Sequence, residues 1–220
     1  MTHAPDDERE PGEYASPPCL MHELQPEYRQ EARQQMPVEV KRWRKAERER
    51  LIAARLELPA DLRAEHSRTI AAKLDVLLGD VAGQTVALYW PFRGEPDLRG
   101  WAETARARGG HVALPVVVAK AQPLVFRLWK TGEKLEKGVW NIPIPVAGEP
   151  VLPDIVISPV VGFDARNFRL GYGGGFYDRT LAAMPRKPRI LGVGYGMQRI
   201  DTIYPNEHDI PMDLVLTERS

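Results

Sequence analysis

The sequence has one cysteine in 220 residues, Cys19. A single thiol cannot form an internal disulfide or build a multi-cysteine metal site, and such usage fits a reducing compartment. An excess of charge is missing too: Lys+Arg and Asp+Glu are 30 each, so the formal net charge is zero. Nothing in that balance calls for nucleic acid or an anionic membrane as partner. No apolar run approaches the roughly 18 to 20 residues that a membrane-spanning helix needs. The opening residues, Met1-Thr2-His3-Ala4-Pro5-Asp6-Asp7-Glu8, lack the basic and apolar regions of a secretory signal. The expectation is a cytoplasmic protein with no membrane or nucleic-acid partner, monomeric or weakly homo-oligomeric.

Two phosphate-loop signatures are also absent. No G-x-x-x-x-G-K-[ST] occurs, and Gly171-Tyr172-Gly173 is followed by Phe176 where G-x-G-x-x-G needs its third glycine.

What the sequence does have is enough apolar content for a core, 43%. Residues 1–36 carry Pro5, Pro11, Pro17, Pro18 and Pro26 among many acids. Such a segment buries too little surface to offset its ordering entropy. It is expected to be a mobile N-terminal tail, followed by one domain over residues 37–220. Pro37 suits a first helical position, and helical spacing runs from Val38 to about Leu58. Arg44, Lys45, Arg48, Arg50 and Arg55 make that helix basic. Taken alone, such a face reads as solvated charge paired with Glu39, Glu47, Glu49 and Glu57. A second helix follows Asp61, its expected N-cap.

Strands are expected at Thr85–Trp90, His111–Val118, Leu124–Trp129, Ile155–Val161, Ile190–Tyr195 and Leu214–Leu216. The Leu124 strand reads as antiparallel or at an edge. A helix capped by Asp97 separates the first two, and one through Leu181 follows Asp178. Continuous apolar strands alternating with helices predict an α/β fold, a three-layer, Rossmann-like sandwich with a mostly parallel sheet flanked by helices. Ligands of such sheets bind beyond the carboxyl ends of the strands.

The stretch Arg169-Leu170-Gly171-Tyr172-Gly173-Gly174-Gly175-Phe176-Tyr177-Asp178 lies there, with four glycines in five positions. Glycines let successive backbone N–H groups converge on an anion, and a helix start adds unpaired N–H groups. The interleaved Arg, Tyr, Phe and Asp distinguish it from a flexible linker.

Together with Val161-Gly162-Phe163-Asp164, this stretch resembles the signature of the 5-formyltetrahydrofolate cyclo-ligase family. Trp90 to Glu95, Trp140-Asn141-Ile142-Pro143 and His208-Asp209 with Asp213 fall in that family's order, and the resemblance covers residues 40 to 218. It implies ATP-driven ring closure: phosphorylation of the formyl oxygen of 5-formyltetrahydrofolate, attack by N10, and release of ADP and phosphate, with Mg²⁺ required. It further implies Arg169 and Tyr177 as catalytic residues. ATP would meet Arg44, Lys45, Arg48 and the run Arg169, Leu170, Gly171, Tyr172, Gly173, Gly174, Gly175, Phe176 and Tyr177. The reduced folate would meet Trp90, Glu95, Trp140, Tyr172, Gly173, Gly174, Gly175 and Phe176. Asp178 and Asp209 would hold the metal. Three departures stand out: Arg44 where lysine is frequent, Asn167-Phe168 where a glycine is frequent, and the N-terminal segment, which has no counterpart. Two other functions stay open on the residues: a folate- or nucleotide-binding relative without catalysis, and a sugar-phosphate isomerase, which would need neither the basic helix nor a nucleotide metal site.

Overall fold

The structure, a computed structural model, describes the backbone of residues 26–220 and the side chains from residue 37. The segment expected to be mobile, residues 1–36, lies outside those described residues except for its backbone from residue 26. The chain divides into two units, Met1–Arg42 and Trp43–Ser220. The second carries the sheet and every candidate site residue.

Helix α1 (Pro26–Glu57) begins well before Pro37, which lies inside it. The expectation of Pro37 at the first helical position is therefore corrected. The preceding Glu27-Tyr28-Arg29-Gln30-Glu31-Ala32-Arg33-Gln34-Gln35 is mostly strong helix former. That propensity carries the helix through a proline, which forfeits one backbone hydrogen bond. Helix α2 (Ala60–Leu78) follows, with Asp61 in its first turn rather than at its N-cap, which is Pro59.

In chain order come β1 (Thr85–Ala87), α3 (Arg99–Ala107), β2 (His111–Val117), β3 (Leu124–Leu128), β4 (Leu135–Lys137), β5 (Pro143–Pro145) and β6 (Pro150–Val151). Then come β7 (Ile155–Pro159), β8 (Gly162–Phe163), β9 (Arg169–Leu170), α4 (Phe176–Ala183), β10 (Arg189–Val193) and β11 (Leu214–Leu216). Among the described residues seven strands form the main sheet in the order β11-β10-β7-β1-β2-β3-β6. The five from β11 to β2 are parallel, and β3 and β6 extend the edge antiparallel.

Alternation along the strands divides the core. Val86, Val112, Leu114, Ile155, Ile157 and Leu191 join Ile70 and Leu74 of α2 and Trp101 of α3 in one cluster. Ala87, Ala113, Val156, Ile190 and Val215 join Leu181 of α4 in another. The sheet is thus flanked by helices that bury alternate residues of the same strands. A third cluster holds Leu51 of α1 with Val161, Leu170 and Ile203. Fully burying a leucine is worth about 1.5–3 kcal/mol, so Leu51 pins α1 beside the segment that leads into the glycine loop.

That segment differs from the expected strand–loop–helix. A two-stranded ribbon, β8 paired with β9, stands between β7 and the glycines. Arg169 and Leu170 are strand residues, and only Gly171–Gly175 form the loop. Asn167 turns the ribbon in the left-handed region, φ 62°, a conformation asparagine tolerates better than most side chains.

Candidate active site

A pocket of about 780 Å³ opens where β1, β2 and β7 end. Pro159 closes β7 there, Pro115 and Val117 belong to β2, and Tyr89 and Trp90 follow β1. β1 lies between β7 and β2, so the chain leaves it in both directions across the sheet. Such a reversal of strand order opens a crevice at the carboxyl ends.

One end of the pocket is built from the glycine loop. Gly173 (φ 94°) and Gly175 (φ 62°) adopt left-handed conformations, which bring the backbone round into the start of α4. Arg48 lies against this turn: its Nε donates to the Gly171 carbonyl at 2.6 Å, and a Cβ on Gly173 would stand 3.4 Å from its Cζ. Among the described residues Arg48 has no other hydrogen-bond partner, so its two terminal nitrogens remain for a ligand. Burial and the Arg44 charge lower its proton affinity.

Beneath the loop Arg169 is buried, donating to Ser158 Oγ at 3.1 Å and Asp178 Oδ1 at 2.9 Å. Its guanidinium also lies 5.2 Å from the Tyr177 ring centroid. Burial raises the Tyr177 hydroxyl pKa, against the opposing Arg169 charge. Tyr177 is therefore held as a neutral phenol at neutral pH.

Arg44 grips the loop before β11. It donates to the carbonyls of Ile203 at 2.9 Å and Tyr204 at 2.8 Å, and pairs with Asp209 Oδ2 at 2.6 Å. Asp209 accepts the Asn206 N–H as well. Lys45 is exposed and does not line the pocket. Leu170 is buried in the cluster around Leu51. The sequence placed both with ATP, and the fold brings neither to the pocket wall.

The other end is aromatic. The β4–β5 hairpin carries Trp140 at its turn, in the left-handed region with φ 57°. Its ring stacks on Phe92 with centroids 6.1 Å apart and planes 10° from parallel. Tyr172 meets both rings, at 5.7 Å and 6.0 Å. Behind Tyr172, Glu95 is buried with both oxygens engaged: Oε1 accepts the Tyr172 hydroxyl at 2.8 Å, and Oε2 accepts the Phe92 N–H at 2.9 Å. Burial pushes the Glu95 carboxyl up to about 7, against the nearby Arg55 charge and these hydrogen bonds.

Most of the expected residues thus meet in one cavity: Arg44, Arg48 and Asp209, Trp90, Glu95 and Trp140, and Arg169 with the run Gly171–Asp178. Sequence reasoning missed Phe92, the stacking partner of Trp140, and Arg55, which is fully buried behind Tyr172. A signal for Arg55 existed. Arg44, Arg48, Leu51 and Arg55 follow the i, i+4, i+7, i+11 spacing of one helix face.

A magnesium ion carried with a nucleotide needs one or two carboxylate oxygens besides phosphate and water. Asp178 fits: its Oδ1 is taken by Arg169 and the Ile210 N–H, while Oδ2 has no hydrogen-bond partner among the described residues. Asp209 fits less well, since Arg44 reaches both its oxygens. Among the described residues no group of three or more His, Cys, Asp or Glu is placed to hold a metal. A cation bound through phosphates does not need one.

Comparison with known proteins gives a consistent picture. The model of the 5-formyltetrahydrofolate cyclo-ligase family matches residues 40–218. The 5-formyltetrahydrofolate cyclo-ligase of Haemophilus influenzae is 36% identical over 139 residues, 59% of this chain and 73% of that protein. The Escherichia coli one is 35% identical over 144 residues, 62% of this chain and 79% of that protein. The solved structure of Aquifex aeolicus 5,10-methenyltetrahydrofolate synthetase superposes with a TM-score of 0.70 at 28% identity, covering 80% of this chain and 90% of that one.

Proposed function

The chain belongs to the 5-formyltetrahydrofolate cyclo-ligase family, and from that premise we propose that it cyclises 5-formyltetrahydrofolate to 5,10-methenyltetrahydrofolate at the cost of ATP. The observation that carries this reading is the shared loop: a single glycine turn lines one end of the pocket and, through Tyr172, reaches the aromatic end of the same pocket. A three-layer, Rossmann-like reading of the sheet agrees with that placement, since ligands of such folds lie where the strand order reverses.

In the proposed reaction the γ-phosphoryl group moves to the formyl oxygen. N10 then attacks the activated formyl carbon, and the carbon–oxygen bond breaks to release phosphate. ADP and phosphate leave with the methenyl product. Phosphoryl transfer of this kind depends on positioning and on neutralising oxygen charge. The loop N–H groups and the terminal nitrogens of Arg48 supply donors to the phosphates. Buried Arg169 holds Asp178 in place. Asp178 Oδ2 would bind Mg²⁺, which supplies further charge neutralisation on the phosphate oxygens. The Phe92, Trp140 and Tyr172 rings offer a slot for a flat pterin, with the Glu95 carboxylate as acceptor for its N–H groups. Holding both reactants against one loop sets the phosphoryl donor and the formyl oxygen at a defined separation.

The test is to mix purified protein with 5-formyltetrahydrofolate, Mg²⁺ and ATP and follow methenyl absorbance. ATP-dependent product is expected. Binding of both ligands without turnover would instead identify a non-catalytic relative.

A further inference from the structure

Arg55 heads the wholly buried side chains by volume among the described residues. A buried cation is costly unless its donors are met, and here they are met by three separate segments. Nε donates to the Arg93 carbonyl at 2.9 Å, Nη1 to the Val160 carbonyl at 3.2 Å and Nη2 to the Tyr172 hydroxyl at 2.6 Å. The carboxylate it approaches is Glu95, Oε1 at 3.9 Å.

The direction of this chain follows from donor chemistry. A guanidinium only donates, so the Tyr172 oxygen accepts from Arg55. Its one hydrogen then goes to Glu95 Oε1, 2.8 Å away. The second Glu95 oxygen takes the Phe92 N–H. A carboxylate has about four acceptor positions, which leaves capacity for a ligand. Two phenols face this spot, Tyr89, whose hydroxyl donates to Pro96 O, and Tyr177 of α4, and two further guanidinium side chains lie near it, Arg93 over the Phe92 ring and Arg63 beside Gly94. Tyr195, at the end of β10, donates to the Gly94 carbonyl beside it.

We propose that Arg55 is a positioning residue for the folate end of the site, fixing the orientation of the Glu95 carboxyl at the pocket wall through Tyr172. The assignment rests on the folate reading above. Its core, the link from Arg55 through Tyr172 to Glu95, can be measured without any ligand. Lysine would keep the charge but cannot serve three divergent acceptors from one nitrogen.

The test uses the full chain labelled with carboxyl-13C glutamate. The Glu95 resonance, identified by its loss in Glu95→Gln, is titrated in the ligand-free protein. Arg55→Met is expected to raise its midpoint by at least about one pH unit. Tyr172→Phe, which retains the arginine, is expected to raise it by less, and Arg55→Lys to return it toward the wild-type value. In Arg55→Met the dissociation constant for 5-formyltetrahydrofolate should rise roughly 10- to 100-fold, less so in Tyr172→Phe and least in Arg55→Lys, with that for a non-hydrolysable ATP analogue changing much less. An unmoved Glu95 midpoint in folded Arg55→Met overturns the proposal, as does equal loss of folate and nucleotide affinity. If Arg55→Met does not fold, Tyr172→Phe decides by the same two readouts. A wild-type protein that ignores the folate would sink the functional reading instead, with the ligand-free titration still deciding the link.

Discussion

Arg169 and Asp178 flank the glycine loop and close it with one ion pair, Nη2 to Oδ1 at 2.9 Å, the arginine buried and the carboxylate partly open to the pocket. The pair ties the end of the β8–β9 ribbon to the first turn of α4, so the loop between them is held at both ends.

Asp178→Asn keeps an oxygen that can accept from Arg169 and Ile210 but removes the charge. Turnover should fall on the order of 100-fold, and the Mg²⁺ concentration needed for half-maximal rate should rise. The melting temperature should stay near that of the wild type. Asp178→Ala also leaves Arg169 buried without its partner, which should cost about 3 kcal/mol in urea unfolding. An Asp178→Asn protein with normal turnover would end the metal assignment.

Arg44 and Arg48 are expected to part company. Arg44 is committed to Ile203, Tyr204 and Asp209, whereas Arg48 has one bond among the described residues, to Gly171. Arg44→Ala should chiefly destabilise the protein, by about 2–3 kcal/mol. Arg48→Ala should barely change stability but raise the KM for ATP roughly 10- to 100-fold, leaving the KM for the folate alone. Parallel unfolding curves and substrate titrations separate the two.

Glu95 gives a pH signature. Its folded carboxyl is raised from 4.5 to about 7, so between those values the folded chain binds more proton than the unfolded one. The protonated site therefore favours the fold most below about pH 4.5. That contribution is lost as pH rises to about 7, and the whole change is on the order of 3 kcal/mol. Glu95→Gln should lack it. Denaturation at a series of pH values should show the variant gaining stability relative to the wild type as pH rises; a constant difference would contradict the raised value.

Gly173→Ala tests the loop backbone. Its φ of 94° is outside what an alanine adopts without strain, and the new methyl would crowd Arg48. A loss of at least about 1 kcal/mol in stability and a higher KM for ATP are expected, with Trp140 fluorescence on folate binding unchanged.

The glycine stretch was legible in the sequence because its chemistry is local: backbone N–H groups, a basic residue before and a carboxylate after. The parallel strands were legible from their apolar runs. The β8–β9 ribbon was not, since two-residue strands carry no periodicity. Arg55 was not read as a site residue because a buried arginine looks the same as a solvated one until its acceptors are known. Two of those are backbone carbonyls, Arg93 and Val160, which carry no sequence signature. Phe92 was passed over for a similar reason: its partner Trp140 arrives from a hairpin 48 positions later in the sequence. Pro37 misled because a strong helix-forming segment lay on its far side.

Helix α1 reaches three places through one side: Arg44 to the segment around Asp209, Arg48 to Gly171, Arg55 to Tyr172. The helix rises about 1.5 Å per residue and turns about 100°, so it acts as a gauge whose graduations are set by residue count. One residue inserted between Arg44 and Arg55 would swing one set of contacts about 100° away from the other. That stretch should therefore reject insertions and deletions even at exposed positions such as Glu49, where ordinary substitutions would pass unnoticed.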